Sequence, residues 1–178
     1  NGASTMNIYP PVGEEGANEL GLAVLCSLGD FDTLITGDMD GKTETKLVEA
    51  YDFPDIEVLL VGHVGKLVKL AGGIMNTHSR CADCRTELFC AHAALCGADA
   101  ATCRALMDAA TTDACLDILD AAQLREPVMA SLLTAIQTHL DRRAAGAFKV
   151  GAVLFSNRNG PLGQTKTADT LLKLWKEA

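Results

Sequence analysis

Residues 56–80 constrain the fold of this chain more than any other stretch, and they read IEVLLVGHVGKLVKLAGGIMNTHSR. The stretch begins with a near-continuous apolar run that includes Val58 and Val61, which is typical of a β-strand covered on both faces. Glycines then interrupt the run, and a polar cluster closes it. Glycines let the backbone approach a ligand, and free amide groups at the carboxyl end of a strand can bind anions. We therefore expect a small-molecule cradle, although the spacing fits neither a P-loop nor a dinucleotide fingerprint.

The remaining pattern predicts an α/β fold, in which a mixed or parallel sheet is flanked by helices. We expect a loop over residues 1–18, then an N-terminal β-hairpin from residues 20–28 and 31–36, and a helix over 42–51. The middle of the chain is helix-rich. Its expected helices cover 79–95, 99–110, 112–122 and 126–143. A second apolar strand over 150–155 ends in a polar turn, and a last helix follows over 168–176.

Composition narrows the class of protein. The net charge of −8 argues against a general nucleic-acid binder, because no broad basic field offsets phosphate charge. The sequence shows no apolar run of membrane-spanning length and no secretory signal, so we expect a cytoplasmic chain. Position 1 is not Met, which favours a fragment or a processed piece. Seven cysteines, an odd number, indicate reduced thiols. Oligomeric state is not predicted.

Three segments of the sequence resemble the CbiD family, the cobalt-precorrin-5B C-methyltransferases of cobalamin biosynthesis. They are GHVGKLVKLAGGIMNTHSR at residues 62–80, DAATTDA at 108–114, and VGAVLFSNRNGPLGQT at 150–165. The resemblance covers about two-thirds of the chain and corresponds to the carboxyl-terminal portion of the family. It implies transfer of a methyl group from S-adenosylmethionine to a ring carbon of a corrin precursor.

The same resemblance implies which residues form the site. His78 is the expected catalytic residue, since histidine moves protons near neutral pH. The residues expected to shape the pocket or contact the cofactor and substrate are Gly62, His63, Gly65, Lys66, Gly72, Gly73, Thr77, Ser79, Ser156 and Asn157. If the two apolar strands are neighbours, their carboxyl ends share one crevice, and the residues at those ends form one site.

Each of these residues also has a plain structural interpretation. His78 can be a polar residue at a helix start, satisfied by the backbone. Lys66 and Lys69 either meet substrate carboxylates or form a solvated face. His63 can contact the ligand, bind zinc, or only bond a carbonyl at the end of its strand. The Cys81–Cys84 pair has no second pair to complete a zinc site, so the cysteines are expected to pack among apolar residues.

The N-terminal third resembles a second family, the metallo-β-lactamase-fold domain of ComEC-type DNA-uptake proteins. NELGLAVLCSLGDFDTLITGDMDGKTETKLVEA carries this resemblance, which continues to IEVLLVGH. By it, Asp38 and His63 would be metal ligands. However, the HxHxDH group is missing, so no metal is expected. We expect residues 1–56 to be a metallo-β-lactamase-like fragment and residues 57–178 a CbiD-like segment. The alternatives are a remnant of a metal-dependent hydrolase and a non-catalytic chimeric fragment.

Overall fold

A computed structural model of the chain describes residues 4–9, 23–28, 31–35, 46–47, 49–51, 57–77 and 83–177. The chain divides into two compact units. One unit comprises residues 1–58 and 171–178, and the other comprises residues 59–170.

In the first unit an antiparallel sheet has the strand order β1-β2-β3. Its strands are β1 (Ser4–Tyr9), β2 (Ala23–Leu28) and β3 (Phe31–Ile35). Val24 pairs with Ile35 in β3 and with Ile8 in β1. Ala23 and Leu47 are fully buried, and the rings of Tyr9 and Tyr51 meet edge-on with centroids 4.9 Å apart.

The hairpin prediction is confirmed by β2 and β3. A helix was also predicted over residues 42–51, and the described residues 46–47 and 49–50 are helical, whereas Tyr51 is not. The loop prediction for residues 1–18 is wrong over β1. This strand pairs with β2, which lies more than ten residues away, and its Met6 and Ile8 side chains are exposed. A pattern search for buried residues therefore misses it. The hairpin turn at Gly29 and Asp30 lies outside the described residues.

A second sheet has the strand order β4-β5-β6. Its strands are β4 (Glu57–His63), β5 (Lys149–Ser156) and β6 (Gly160–Gln164), and β5 pairs antiparallel with β6. The helices are α1 (Val64–Leu67), a 3₁₀ helix (Val68–Gly72), α2 (Arg85–Leu95), α3 (Ala100–Met107), α4 (Thr112–Ala121), α5 (Arg125–Ala144) and α6 (Lys166–Glu177). The mixed α/β fold with its helix-rich middle is as predicted.

Local chemistry fixes the helix starts. The Asp99 carboxylate caps α3 by accepting a hydrogen bond from Thr102 N at 2.7 Å, and the Thr111 hydroxyl caps α4 through Ala114 N at 3.1 Å. The helices then bury one apolar face each, and the second unit encloses a core that includes Phe89, Leu106, Leu116, Leu119, Leu132, Ile136 and Leu154.

Two expectations for this unit are wrong, and one of its strands was not predicted. The strand after residue 56 is not covered on both faces, because β4 lies at a sheet edge and Val61 is 62% exposed. The helix expected from residue 79 begins at Arg85, with Cys84 in the capping position; Ser79 itself lies outside the described residues. The polar turn expected after β5 is present at residues 157–159, and the strand that was not predicted is β6, because glycine and proline are uncommon in strands.

Candidate functional site

The carboxyl ends of β4 and β5 meet, as the sequence predicted for neighbouring strands. His63 is the last residue of β4, and its ring lies edge-on to Phe155 near the end of β5, with centroids 5.9 Å apart. β4 and β5 therefore run parallel. This edge brings together His63 and Ser156, which both belong to the predicted site.

His63 is held by the turn that follows it. Its Nδ1 accepts a hydrogen bond from Gly65 N at 3.0 Å, so the side chain caps α1. A Cβ at Gly65 would lie 3.2 Å from His63 Nδ1 and 3.5 Å from Thr112 Oγ1. Glycine at position 65 thus lets the first turn of α1 approach both the histidine ring and the start of α4.

An acidic residue that the sequence analysis did not select connects this edge to α4. Asp113 Oδ1 accepts hydrogen bonds from Ser156 Oγ at 2.5 Å and from Asn159 Nδ2 at 2.9 Å. Ser156 is buried, and its Oγ also accepts the backbone N–H groups of Arg158 and Asn159, each at 3.1 Å. The only sequence signal for Asp113 is its place in the DAATTDA segment.

Electrostatics keep Asp113 ionised. The hydrogen bond from Ser156 lowers the pKa of the Asp113 carboxyl, the hydrogen bond from Asn159 lowers it further, and the nearby His63 and Arg158 side chains add to the effect. Burial of the carboxyl opposes this shift. One turn along α4, Asp117 pairs with the exposed Arg158 at 2.7 Å. Two carboxylates of α4 therefore hold the turn between β5 and β6.

A small polar cavity of about 190 Å³ adjoins the start of α4. Thr112, whose Oγ1 would lie 3.5 Å from a Cβ at Gly65, also lines this cavity, as do Asp83 and Arg85, which form an ion pair at 2.6 Å. The other lining residues are Thr86, Glu87, Ala109, Ala110 and Thr111. Most of these residues are exposed or partly buried, and a polar lining of this kind suits a charged or dipolar ligand group.

The structure gives packing reasons for three of the predicted glycines. A Cβ at Gly62 would lie 3.0 Å from the Leu67 side chain, and one at Gly72 would lie 3.2 Å from Leu88. Gly73 has φ of +74° and ends the 3₁₀ helix. Close approach of backbone to neighbouring side chains explains these positions, and a ligand-binding role for them stays a prediction.

The two lysines of the glycine-rich stretch have different surroundings. Lys66 is exposed, so its contact with a ligand stays a prediction. Lys69 is only 1% exposed, and its Nζ donates to the Thr77 carbonyl at 3.3 Å, so it does not form a solvated face. Asn157 is exposed at the turn after β5. His78 and Ser79 lie outside the described residues, so their roles stay predictions.

The described cysteines do not form a metal centre. Burial raises the pKa of the Cys84, Cys90 and Cys115 thiols, that of Cys115 to about 11. Among residues 4–9, 23–28, 31–35, 46–47, 49–51, 57–77 and 83–177, no group of three or more potential ligands could hold a metal ion. Cys81 and Asp38 lie outside these ranges. Within the same ranges, no helix has the length and hydropathy of a membrane span.

The fold and this edge define an α/β domain with polar side chains gathered where parallel strands end. The chain belongs to the family of the CbiD carboxyl-terminal domain, whose model matches residues 76–166. The matched range includes Asp113, Ser156 and Asn159, and the predicted family resemblance is confirmed.

Curated relatives agree with this assignment. A cobalt-precorrin-5B C(1)-methyltransferase of Ruminiclostridium cellulolyticum is 48% identical over 105 residues, covering 59% of this chain and 27% of the relative. That of Methanobrevibacter smithii is 45% identical, with coverage of 49% and 24%. That of Alkaliphilus metalliredigens is 33% identical, with coverage of 67% and 31%. The chain thus spans about a quarter to a third of the length of these relatives. No solved structure matches it.

Proposed function

We propose that this chain forms the carboxyl-terminal part of a methyltransferase that transfers a methyl group from S-adenosylmethionine to a ring carbon of cobalt-precorrin-5B. The observation that carries the proposal is the family match over residues 76–166, which includes the Asp113, Ser156 and Asn159 cluster. The names of the curated relatives supply the reaction and the corrin-precursor substrate. The proposal includes a cytoplasmic location, as expected for a biosynthetic enzyme.

The domain assignment is part of the proposal. Residues 57–178 would be the CbiD-like segment, and residues 1–56 a metallo-β-lactamase-like fragment joined to it. The two resemblances share the letters VGHxG, which include His63, the last residue of β4.

The chemistry of the edge fits a dipolar ligand that carries carboxylates. Lys66 offers an exposed cation, His63 and Asn157 offer polar groups, and the closely approached Gly65 leaves no Cβ in the first turn of α1. S-adenosylmethionine would supply an electrophilic methyl group. The residues of this chain would bind and orient the reactants, because holding two reactants in line lowers much of the barrier to such a transfer. His78 is proposed to move the proton that the methylated carbon framework loses.

Calorimetric titration with S-adenosylhomocysteine tests the proposal. We expect the purified chain to bind this product, and the double variant Lys66→Ala/His78→Ala to bind at least about tenfold more weakly, since a bond to a charged group contributes about 1.5–3 kcal/mol. Arg142→Ala is the matched control. Arg142 is an exposed cation in the last turn of α5, before β5 begins, and its loss should leave the affinity unchanged.

Two results would contradict the proposal. A well-folded chain that binds neither S-adenosylhomocysteine nor S-adenosylmethionine at millimolar concentration would show that this segment holds no cofactor site. Equal weakening by Arg142→Ala and by the double variant would show only a nonspecific charge effect.

A further inference from the structure

The protonation pattern of His63 follows from its hydrogen bond. A backbone N–H can only donate, so the Nδ1 atom that receives Gly65 N at 3.0 Å must carry a lone pair. In a neutral imidazole the proton then resides on the other nitrogen, Nε2. The bond is also needed by the backbone, because the first N–H groups of a helix have no partner within it.

The remaining ring nitrogen is available to a ligand. In the part of the chain that the structure describes, no group hydrogen-bonds Nε2, and the ring is only partly buried. The ring rests edge-on against Phe155, which fixes its plane. The Asp113 carboxylate on α4 lies near enough to interact electrostatically with the ring.

We infer that neutral His63 is held in the Nε2–H tautomer and serves the proposed site as a hydrogen-bond donor to a carboxylate oxygen of the ligand. The carboxylate can belong to the amino-acid end of the S-adenosyl group or to a side chain of the tetrapyrrole. The choice of ligand rests on the proposed function. The inferred tautomer does not depend on the proposed function, because the hydrogen bond from Gly65 N to Nδ1 that fixes it needs no ligand.

Nitrogen NMR tests the tautomer directly. A long-range proton–nitrogen correlation spectrum of the ¹⁵N-labelled chain is recorded at about pH 9. The set of imidazole signals that is absent from the spectrum of His63→Gln belongs to His63, one of the four histidines. We expect the Nε2–H pattern, with Nδ1 shifted as an unprotonated nitrogen. An Nδ1–H pattern, or averaging between the two tautomers, would overturn the inference whether or not any ligand binds.

Two substitutions separate the roles of the two nitrogens. His63→Asn places an amide oxygen near the Nδ1 position, so it keeps the cap but loses the distal donor. His63→Gln places an amide nitrogen near the Nε2 position, so it keeps the donor but loses the cap. We expect His63→Asn to retain thermal stability and bind ligand about tenfold more weakly, and His63→Gln to lose stability while binding within about threefold of the original.

Two ligands distinguish the sources of the carboxylate. A tenfold loss by His63→Asn with S-adenosylhomocysteine alone assigns the contact to the amino-acid end, and a loss with uroporphyrin alone assigns it to the tetrapyrrole. Full affinity of His63→Asn for both ligands, or equal losses in the Asn and Gln variants, would refute the donor role. Absence of binding by the unaltered chain to either ligand would refute the proposed function and the donor role together, while the NMR result on the tautomer would stand.

Discussion

Replacing Asp113 by alanine tests the connection between α4 and the β5–β6 turn. The change removes the acceptor for Ser156 Oγ at 2.5 Å and for Asn159 Nδ2 at 2.9 Å. A hydrogen bond to a charged group contributes about 1.5–3 kcal/mol when buried, and partial exposure of Asp113 reduces each to about 1 kcal/mol. Loss of a negative charge in the first turn of a helix adds about 0.5 kcal/mol. We therefore expect a loss of about 2–3 kcal/mol in the free energy of unfolding.

Urea denaturation followed by circular dichroism measures this loss. With a typical slope of about 1–3 kcal/mol per molar, the midpoint should fall by about 0.7–3 M. Asp113→Asn keeps an acceptor oxygen and should lose about 1 kcal/mol. Asp117→Ala is the matched control, because Asp117 lies on the same helix and bonds only the exposed Arg158 side chain. Equal midpoints for Asp113→Ala and Asp117→Ala would refute the reasoning.

The same carboxylate predicts a dependence of stability on pH. The pKa of Asp113 is lowered in the folded protein, chiefly by the hydrogen bond from Ser156. A lowered folded pKa gives stabilisation that is complete above the ordinary value of about 3.9 and is lost as pH falls through the folded pKa. The stability difference between the unaltered chain and Asp113→Asn should therefore be constant from about pH 7 to 5 and shrink below about pH 4. A difference that stays unchanged to about pH 2 would contradict this.

Three further predictions concern packing and thiol reactivity. Gly151→Ala should prevent stable folding, since its Cβ would lie 2.3 Å from the Ala168 backbone nitrogen; a thermal melt like that of the unaltered chain would contradict this. Gly73→Ala should lose more stability in urea than Gly97→Ala. Both glycines have positive φ, so alanine costs about 1–2 kcal/mol at either position. Only at Gly73 would the added Cβ also meet a side chain, that of His139 at 3.0 Å. Equal losses would show that this contact relaxes without cost. Iodoacetamide at pH 8 should leave Cys115 unmodified in native protein, as burial raises its pKa to about 11, while partly buried Cys96 reacts; mass spectrometry of the peptides decides.

The sequence predicted the site only in part, and the reason differs between residues. His63 and Ser156 could be placed together because each ends an apolar run, and the carboxyl ends of parallel strands share one edge. Asp113 gave no such signal. It lies in the first turn of a helix, where an acidic residue is ordinary, and its partners are more than forty residues away in the chain.

By itself, the sequence determined the family and part of the local structure. Periodicity placed the four helices between Arg85 and Ala144 and both apolar strands, although the first of these helices begins later than expected. Capping residues such as Asp99 and Thr111 set helix starts, and three sequence segments indicated the CbiD family. Only tertiary structure decided burial and pairing. It placed Lys69 in the interior, left Val61 exposed at a sheet edge, and joined Asp113 to Ser156. The local pattern of apolar and polar residues indicates which secondary structure a segment prefers. Contacts between distant segments depend on how the helices and strands pack.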